Sequence, residues 1–210
     1  MKVAQKQADS GEIISWTLLR SVYPAGEEAR ADYLISEISE GNPRSSERRF
    51  TENMELAGVE ISVGEFFGKL NETSTLVARE LWRPRIYDGA AEKGNYLTIN
   101  MMKVKDFEVL SKTTKTWSPL SQEWIKQGVM TGWVFATKRL PSWTETVYGA
   151  YSADIYPTLE AAFVSLNVEE TFAKGYPGKT FSDFSPELGK ARSTATREMW
   201  TVVERISKSK

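Results

Sequence analysis

The sequence predicts an α+β protein in which one structural unit is used twice. Two observations predict this. A set of short motifs recurs in the same order about 117 residues apart, and alternating apolar strands are interleaved with capped helical stretches. A third observation, the residue inventory, limits the chemistry such a fold can host.

The repeat runs through the chain. Gly11-Glu12-Ile13-Ile14-Ser15-Trp16, followed by Leu18, Arg20 and Tyr23-Pro24, parallels Gly128-Val129-Met130-Thr131-Gly132-Trp133, followed by Phe135, Thr137 and Leu140-Pro141. From Gly11 to Gly128 the offset is 117, and Glu37-Ile38-Ser39 keeps it with Asp154-Ile155-Tyr156. Ser74-Thr75 recurs as Ser193-Thr194 at 119, and Arg79-Glu80-Leu81-Trp82 as Arg197-Glu198-Met199-Trp200 at 118. These matches, in one order and nearly equally spaced, point to a duplication, with small loop changes between copies.

The second copy reads as a complete unit. Tyr96 to Val104 is a strand, and Asp106 opens a helix that Gly128 ends, with Pro119 expected to break or kink it. Met130 to Leu140 and Thr146 to Tyr156, rich in aromatic and β-branched residues, form a hairpin through the turn Pro141-Ser142-Trp143-Thr144. Thr158 caps a helix running to about Lys174, and the Gly175-Tyr176-Pro177-Gly178 loop ends it. A helical piece from Pro186 to Ala195 leads into a last strand, Arg197 to Ile206. The order β-α-β-β-α-β is the split βαβ, or ferredoxin-like, plan.

The first copy shows the hairpin, Ile13 to Tyr23 and Arg30 to Ser39, then helical stretches at Ser45 to Ala57 and Ser62 to Glu72, then a strand, Val77 to Tyr87. Its opening strand and most of its opening helix have no counterpart. Two full periods need 2 × 117 = 234 residues against the 210 present, a deficit of 24. The expectation is an incomplete N-terminal unit over 1–90 and a complete one over 91–210. The missing part is expected upstream of Met1, with or without an export signal, or else another strand or chain fills the gap.

Composition excludes several function classes. The chain has neither Cys nor His, which leaves no thiolate nucleophile, Ser-His-Asp triad, His-ligated haem or ordinary zinc site, and no metal site is expected. A net charge of -1 lacks the basic footprint of nucleic-acid binding. No apolar run approaches the length of a membrane helix, so neither nucleic acid nor membrane is an expected partner. The compartment stays open, because absence of Cys suits a reducing and an oxidising one equally.

On three sets of residues the chain resembles the dimeric α/β-barrel superfamily, and within it poorly characterised bacterial proteins built from two units. They are the Trp-containing strand before a Pro turn (Trp133 to Pro141), the segment Phe172 to Lys179, and Arg197-Glu198-Met199-Trp200. The resemblance covers about four-fifths of the chain. It implies two sheets packed face to face as a pseudo-dimeric α/β barrel, with a cavity between them, in a superfamily that hosts oxygenases, haem enzymes, isomerases and proteins of no known activity.

Under that arrangement the purely apolar set Leu97, Ile99 and Met101 is expected to face the helices, and the mixed set carrying Asn100 to face the cavity. The candidate ligand-binding residues are Asn100, Trp133, Tyr151, Glu198 and Trp200, with the repeat partners Glu80 and Trp82. Apolar walls with a few polar groups suit a small aromatic or other flat ligand, and no cofactor is expected. Three functions follow: a small-molecule-binding protein, a cofactor-independent monooxygenase-like enzyme, or a structural, oligomerising module in which Trp residues fill space. Whether the protein is an enzyme is left open, and a homo-oligomer is compatible with all three.

Other motifs carry less. Lys174 to Thr180 ends in Gly-Lys-Thr, yet Ala173 stands where a phosphate loop needs Gly and the segment follows a helix. Glu27-Glu28 and Glu169-Glu170 lack the spaced ligands of a cation loop, Arg44, Arg48 and Arg49 read as a helix surface, and Asn71-Glu72-Thr73 fits a glycosylation triplet.

Overall fold

In the computed structural model, residues 1–24, 29–41, 47–141 and 147–208 are described. Among them the chain runs α1 (Lys2–Asp9), β1 (Ser15–Tyr23), β2 (Tyr33–Ile38), α2 (Glu47–Leu56), α3 (Val63–Thr73), β3 (Leu81–Gly89), β4 (Tyr96–Val104), α4 (Phe107–Lys126), β5 (Gly132–Leu140), β6 (Ala150–Tyr156), α5 (Leu159–Phe163), α6 (Val168–Gly175), α7 (Phe181–Ala191) and β7 (Arg192–Ser207). All seven strands join one antiparallel sheet in the order β2-β1-β7-β4-β6-β5-β3. The fold is therefore α+β.

The sheet must curl. β2 and β6 stand four steps apart in this order, roughly 19 Å in a flat sheet at about 4.8 Å per strand. Yet Arg30, just before β2, donates to the Tyr148 hydroxyl, just before β6, at 2.6 Å. The side chains divide accordingly. One cluster joins Leu19, Leu97, Ile99, Met101, Val134, Ala153, Ile155, Trp200 and Val202, with Leu34 and Trp82 from the two outermost strands against it, and this is the concave face. The other joins Met102, Trp133, Phe135 and Tyr156 to Leu110, Leu120 and Trp124 of α4 and Phe172 of α6, and this is the helix-covered face.

Local geometry recurs along the chain. α1 and α4 both leave their last turn through a glycine at φ +75°, Gly11 and Gly128. Behind each, the same bonds form: Glu12 and Ile13 donate to the Gln7 carbonyl as Val129 and Met130 donate to that of Trp124, and Ile14 bonds Ile38 as Thr131 bonds Ile155. The registers repeat too. Ser21 lies opposite Trp200 and Arg20 opposite Thr201 in β1–β7, while Lys138 lies opposite Trp82 and Thr137 opposite Arg83 in β5–β3. The irregularities fall at matching places, between Leu18 and Leu19 in one pairing and between Pro84 and Ile86 in the other.

Several boundaries differ from the sequence reading. α4 runs unbroken through Pro119, because the carbonyl deprived of a donor belongs to Lys115, on the exposed side. The helix expected from Thr158 to Lys174 is two helices. Val164 is extended (ψ 128°) and Asn167 caps the second by accepting from the Glu170 amide. α7 begins at Phe181, well before Pro186, since Thr180 and Asp183 form a reciprocal capping box that fixes the start. The expected turn at Pro141-Ser142-Trp143-Thr144 lies outside the described residues from Ser142 onward.

Candidate functional site

The concave face gathers five of the seven candidate residues. β3 brings Glu80 to its edge and carries Trp82, β7 carries Glu198 and Trp200, and β6 carries Tyr151. In both Glu-x-Trp segments the indole N–H donates to the carboxylate two residues before it: Trp82 Nε1 to Glu80 Oε2 at 3.2 Å, Trp200 Nε1 to Glu198 Oε2 at 3.1 Å. Residues two apart on a strand share a face, which is why the spacing makes this bond available.

Three residues that the sequence reading missed complete the cluster. Lys138 Nζ lies 2.7 Å from Glu80 Oε1, and the Tyr148 hydroxyl donates to the same oxygen at 2.8 Å. Arg30 spans the two halves, with Nη1 on the Tyr148 hydroxyl and Nε 3.5 Å from Glu198 Oε1. Arg30 and Tyr148 hold nearly matching positions ahead of β2 and β6, but they differ in residue type and Lys138 has Ser21 at its repeat position, so the repeat did not single them out. Trp82 stacks on Tyr148 with centroids 6.0 Å apart and meets Tyr151 edge-on at 4.9 Å. The Lys138 ammonium sits over the Tyr148 ring at 4.3 Å and the Trp82 ring at 5.6 Å, a cation–π arrangement.

The electrostatics follow from burial and partners. Burial alone would raise the Glu80 carboxyl, but hydrogen bonds from Lys138 and Tyr148, with the Lys138 and Arg30 charges, hold it below its ordinary value. Burial, then the bond to Glu80, raises the Tyr148 phenol, and burial pushes Tyr151 up to about 12. The two halves differ in access. Glu198 and Trp200 are sealed, with Trp200 1% exposed, whereas Trp82, Tyr148 and Arg30 are half-buried and reach solvent.

Asn100 and Trp133 are not in this cluster, so the expected facing of β4 is reversed. Leu97, Ile99 and Met101 line the concave face, and Asn100 lies with Trp133 on the helix side. Both faces of β4 are covered, one by helices and one by the curled sheet, so apolar character does not tell them apart. There Asn100 accepts from Arg197 Nε at 2.6 Å and donates to Asp154 at 3.2 Å and to Ser152 at 3.4 Å. Burial raises the Asp154 carboxyl to about 6, against the opposing pull of Asn100, Arg197 and Arg192. Trp133 Nε1 makes no hydrogen bond of good geometry, although it lies close enough to Asp154 to favour the ionised form.

The remaining motifs are ordinary surface features. Glu170 pairs with Lys174 one turn on at 2.5 Å, and Arg48 with Glu52 at 2.9 Å, while Glu27-Glu28 and Arg44 lie outside the described residues. Among the described residues no group of three acidic side chains is placed to hold a metal ion, and no helix is long and apolar enough to cross a membrane. A cleft of about 370 Å³ between α4 and α5–α6, bordered by Trp124, Val129 and Leu166, lies on the helix side, away from the Glu-Trp cluster.

The curled antiparallel sheet with helices on its outer face defines the structural class, and comparison with solved structures agrees. The chain is similar to a putative monooxygenase from Lactobacillus acidophilus NCFM, with a TM-score of 0.58 and 12% identity over 99% of this chain and 86% of that one. It is also similar to a putative monooxygenase from Fusobacterium nucleatum subsp. nucleatum, with a TM-score of 0.53 and 8% identity over 97% and 87%. At such identities the likeness is one of fold. No family model and no curated protein matches the sequence.

Proposed function

We propose that the protein binds a flat, weakly acidic small molecule, a phenol or enol, on the concave face at the Glu80 half of the cluster. The observation that carries this is the convergence of Lys138, Arg30, Tyr148 and Glu80 beside the half-buried Trp82 ring. An aromatic wall holds a flat ring, while an ammonium and a guanidinium stabilise the oxygen anion that such a ligand forms on losing its proton.

The same reading includes the architecture: two ferredoxin-like units, 1–90 and 91–210, whose sheets continue into each other as an incomplete barrel. The repeated turns, registers and Glu-Trp bonds support it, as does the order β7-β4-β6-β5, in which the second unit's opening strand lies inside. The second functional reading, cofactor-independent oxygenation, is favoured by the names of the two similar structures. Its logic is that a bound phenolate is electron-rich enough to reduce dioxygen without metal or flavin.

Titrating a panel of phenols and quinols against intrinsic Trp fluorescence tests binding. The expected result is saturable quenching that the Trp82→Phe variant loses and Trp200→Phe keeps. Quenching by no member of the panel would refute binding. Oxygen uptake with the quenching ligands then separates enzyme from binder, and binding without uptake would refute oxygenation.

A further inference from the structure

We infer that the gap between β2 and β3 is a receptor slot for one further polypeptide segment, an extended strand followed by a helix, from outside these 210 residues. The inference rests on the two-unit reading. β2 corresponds to β6 and β3 to β7, and in the second unit β4 lies between β6 and β7, antiparallel to both. Among the described residues β2 pairs only with β1 and β3 only with β5, so each ends the sheet with one row of backbone groups unpaired.

The two edges face one another. Leu34 and Trp82 pack on the same concave cluster, and the Arg79 charge is felt by the Glu37 carboxyl. The slot's chemistry is that of its filled counterpart, where β4 turns Leu97, Ile99 and Met101 onto the concave face.

α3 supplies an independent indication that a helix follows the strand. It corresponds to α7 at an offset of 118, from Val63 to Phe181, and is capped by Ser62 as α7 is by Thr180. α7 places Phe181 against Trp117 at the middle of α4, just ahead of the stretch that α1 matches, 6.1 Å between centroids. α3 buries no residue: Val63 and Phe66, at the places of Phe181 and Phe184, stay only half-buried, and the counterpart of the Trp117 stretch of α4 is what would cover them. Phe66 and Phe67 pack on Phe50 of α2, and the rest of this apolar face, still exposed, is stabilised by a partner that covers it.

A synthetic peptide copying Tyr96–Ser118, the sequence of β4 and of α4 as far as Ser118, tests the slot on the full chain by amide hydrogen exchange. The expected result is at least about tenfold slower exchange of the outward amides of β2 and β3, with protection of α3, and no effect from a scrambled peptide. No protection by the copied peptide, with β1–β7 and β5–β3 amides well protected in the free protein, overturns the slot and leaves the two-unit reading standing. Rapid exchange at those inner pairings instead overturns the two-unit reading. Edges already protected in a free protein that runs as a dimer would assign the slot to a second copy, and that too refutes the inference.

Discussion

Asp154 offers the sharpest test of the helix-side chemistry. Its carboxyl is displaced upward from an ordinary 3.8 to about 6 by burial, so the folded protein holds a proton there over a range in which the unfolded chain has released it. Above pH 6 the group is a destabilising buried charge. As pH falls through 6 the folded state takes up the proton first, and stability rises until about pH 4, where the unfolded chain is protonated as well. A displacement of about two pH units at 1.36 kcal/mol each sets a ceiling of about 3 kcal/mol. Neighbours crowd the carboxyl closely, yet part of the residue still touches solvent, and that residual contact governs the size because water screens the charge. The expected effect is therefore about 1–2 kcal/mol. Urea denaturation at several values between pH 4 and 7.5, for the protein and its Asp154→Asn variant, separates the Asp154 titration from every other. The difference, parent minus variant, should fall by that amount as pH rises through 6. A difference that stays flat, or rises, refutes the assignment of a raised carboxyl at this position.

Glu80→Gln leaves the Lys138 ammonium, 8% exposed, without its carboxylate and should cost about 3 kcal/mol by chemical denaturation, most of which the double variant with Lys138→Met recovers. Gly89 sits at φ +74°, where an added Cβ would fall 2.1 Å from the Thr131 carbonyl oxygen, so Gly89→Ala should destabilise by more than about 2 kcal/mol. Gly58→Ala, at φ +65° with open space, should cost only about 1 kcal/mol, and equal losses at the two sites would contradict the geometry. Acrylamide should reach Trp82 and spare Trp200, so Trp82→Phe removes quenchable emission and Trp200→Phe does not.

Much of this was readable because the repeated residues are those with sharp local requirements. Gly11 and Gly128 stand where the chain leaves a helix with positive φ, and the Glu-x-Trp pairs are held by an indole-to-carboxylate bond that only that spacing on a strand permits. The facing of β4 was not readable, since Leu97, Ile99 and Met101 would suit either covered face, and the polar Asn100 is accommodated by Arg197 and Asp154, which come from other strands. Lys138 and Arg30 escaped notice because single cations in strand and loop carry no pattern until the sheet curls and brings them to Glu80, Tyr148 and Glu198. The break at Val164 hid inside a stretch whose apolar spacing fits one helix, and only the Asn167 cap marks the second start.

The two Glu-Trp pairs share their internal bond and the nearby Arg30 charge but differ in their other neighbours and in access, and that difference locates the proposed site. Opposite Trp200 in the sheet stands Ser21, while opposite Trp82, at the matching register, stands Lys138. Glu198 has Arg30 and a long 3.5 Å contact from Thr196, and its Trp is closed off from water. Glu80 has a lysine, a tyrosine and the nearby Arg30 charge beside an indole that stays accessible. If packing alone accounted for these pairs, two equally sealed apolar environments would serve, and a nearly buried ammonium would be an unneeded cost. A lysine kept in the Glu80 half only, against aromatic rings and next to the open edge of β3, suits recognition of an anionic ring oxygen at the proposed site.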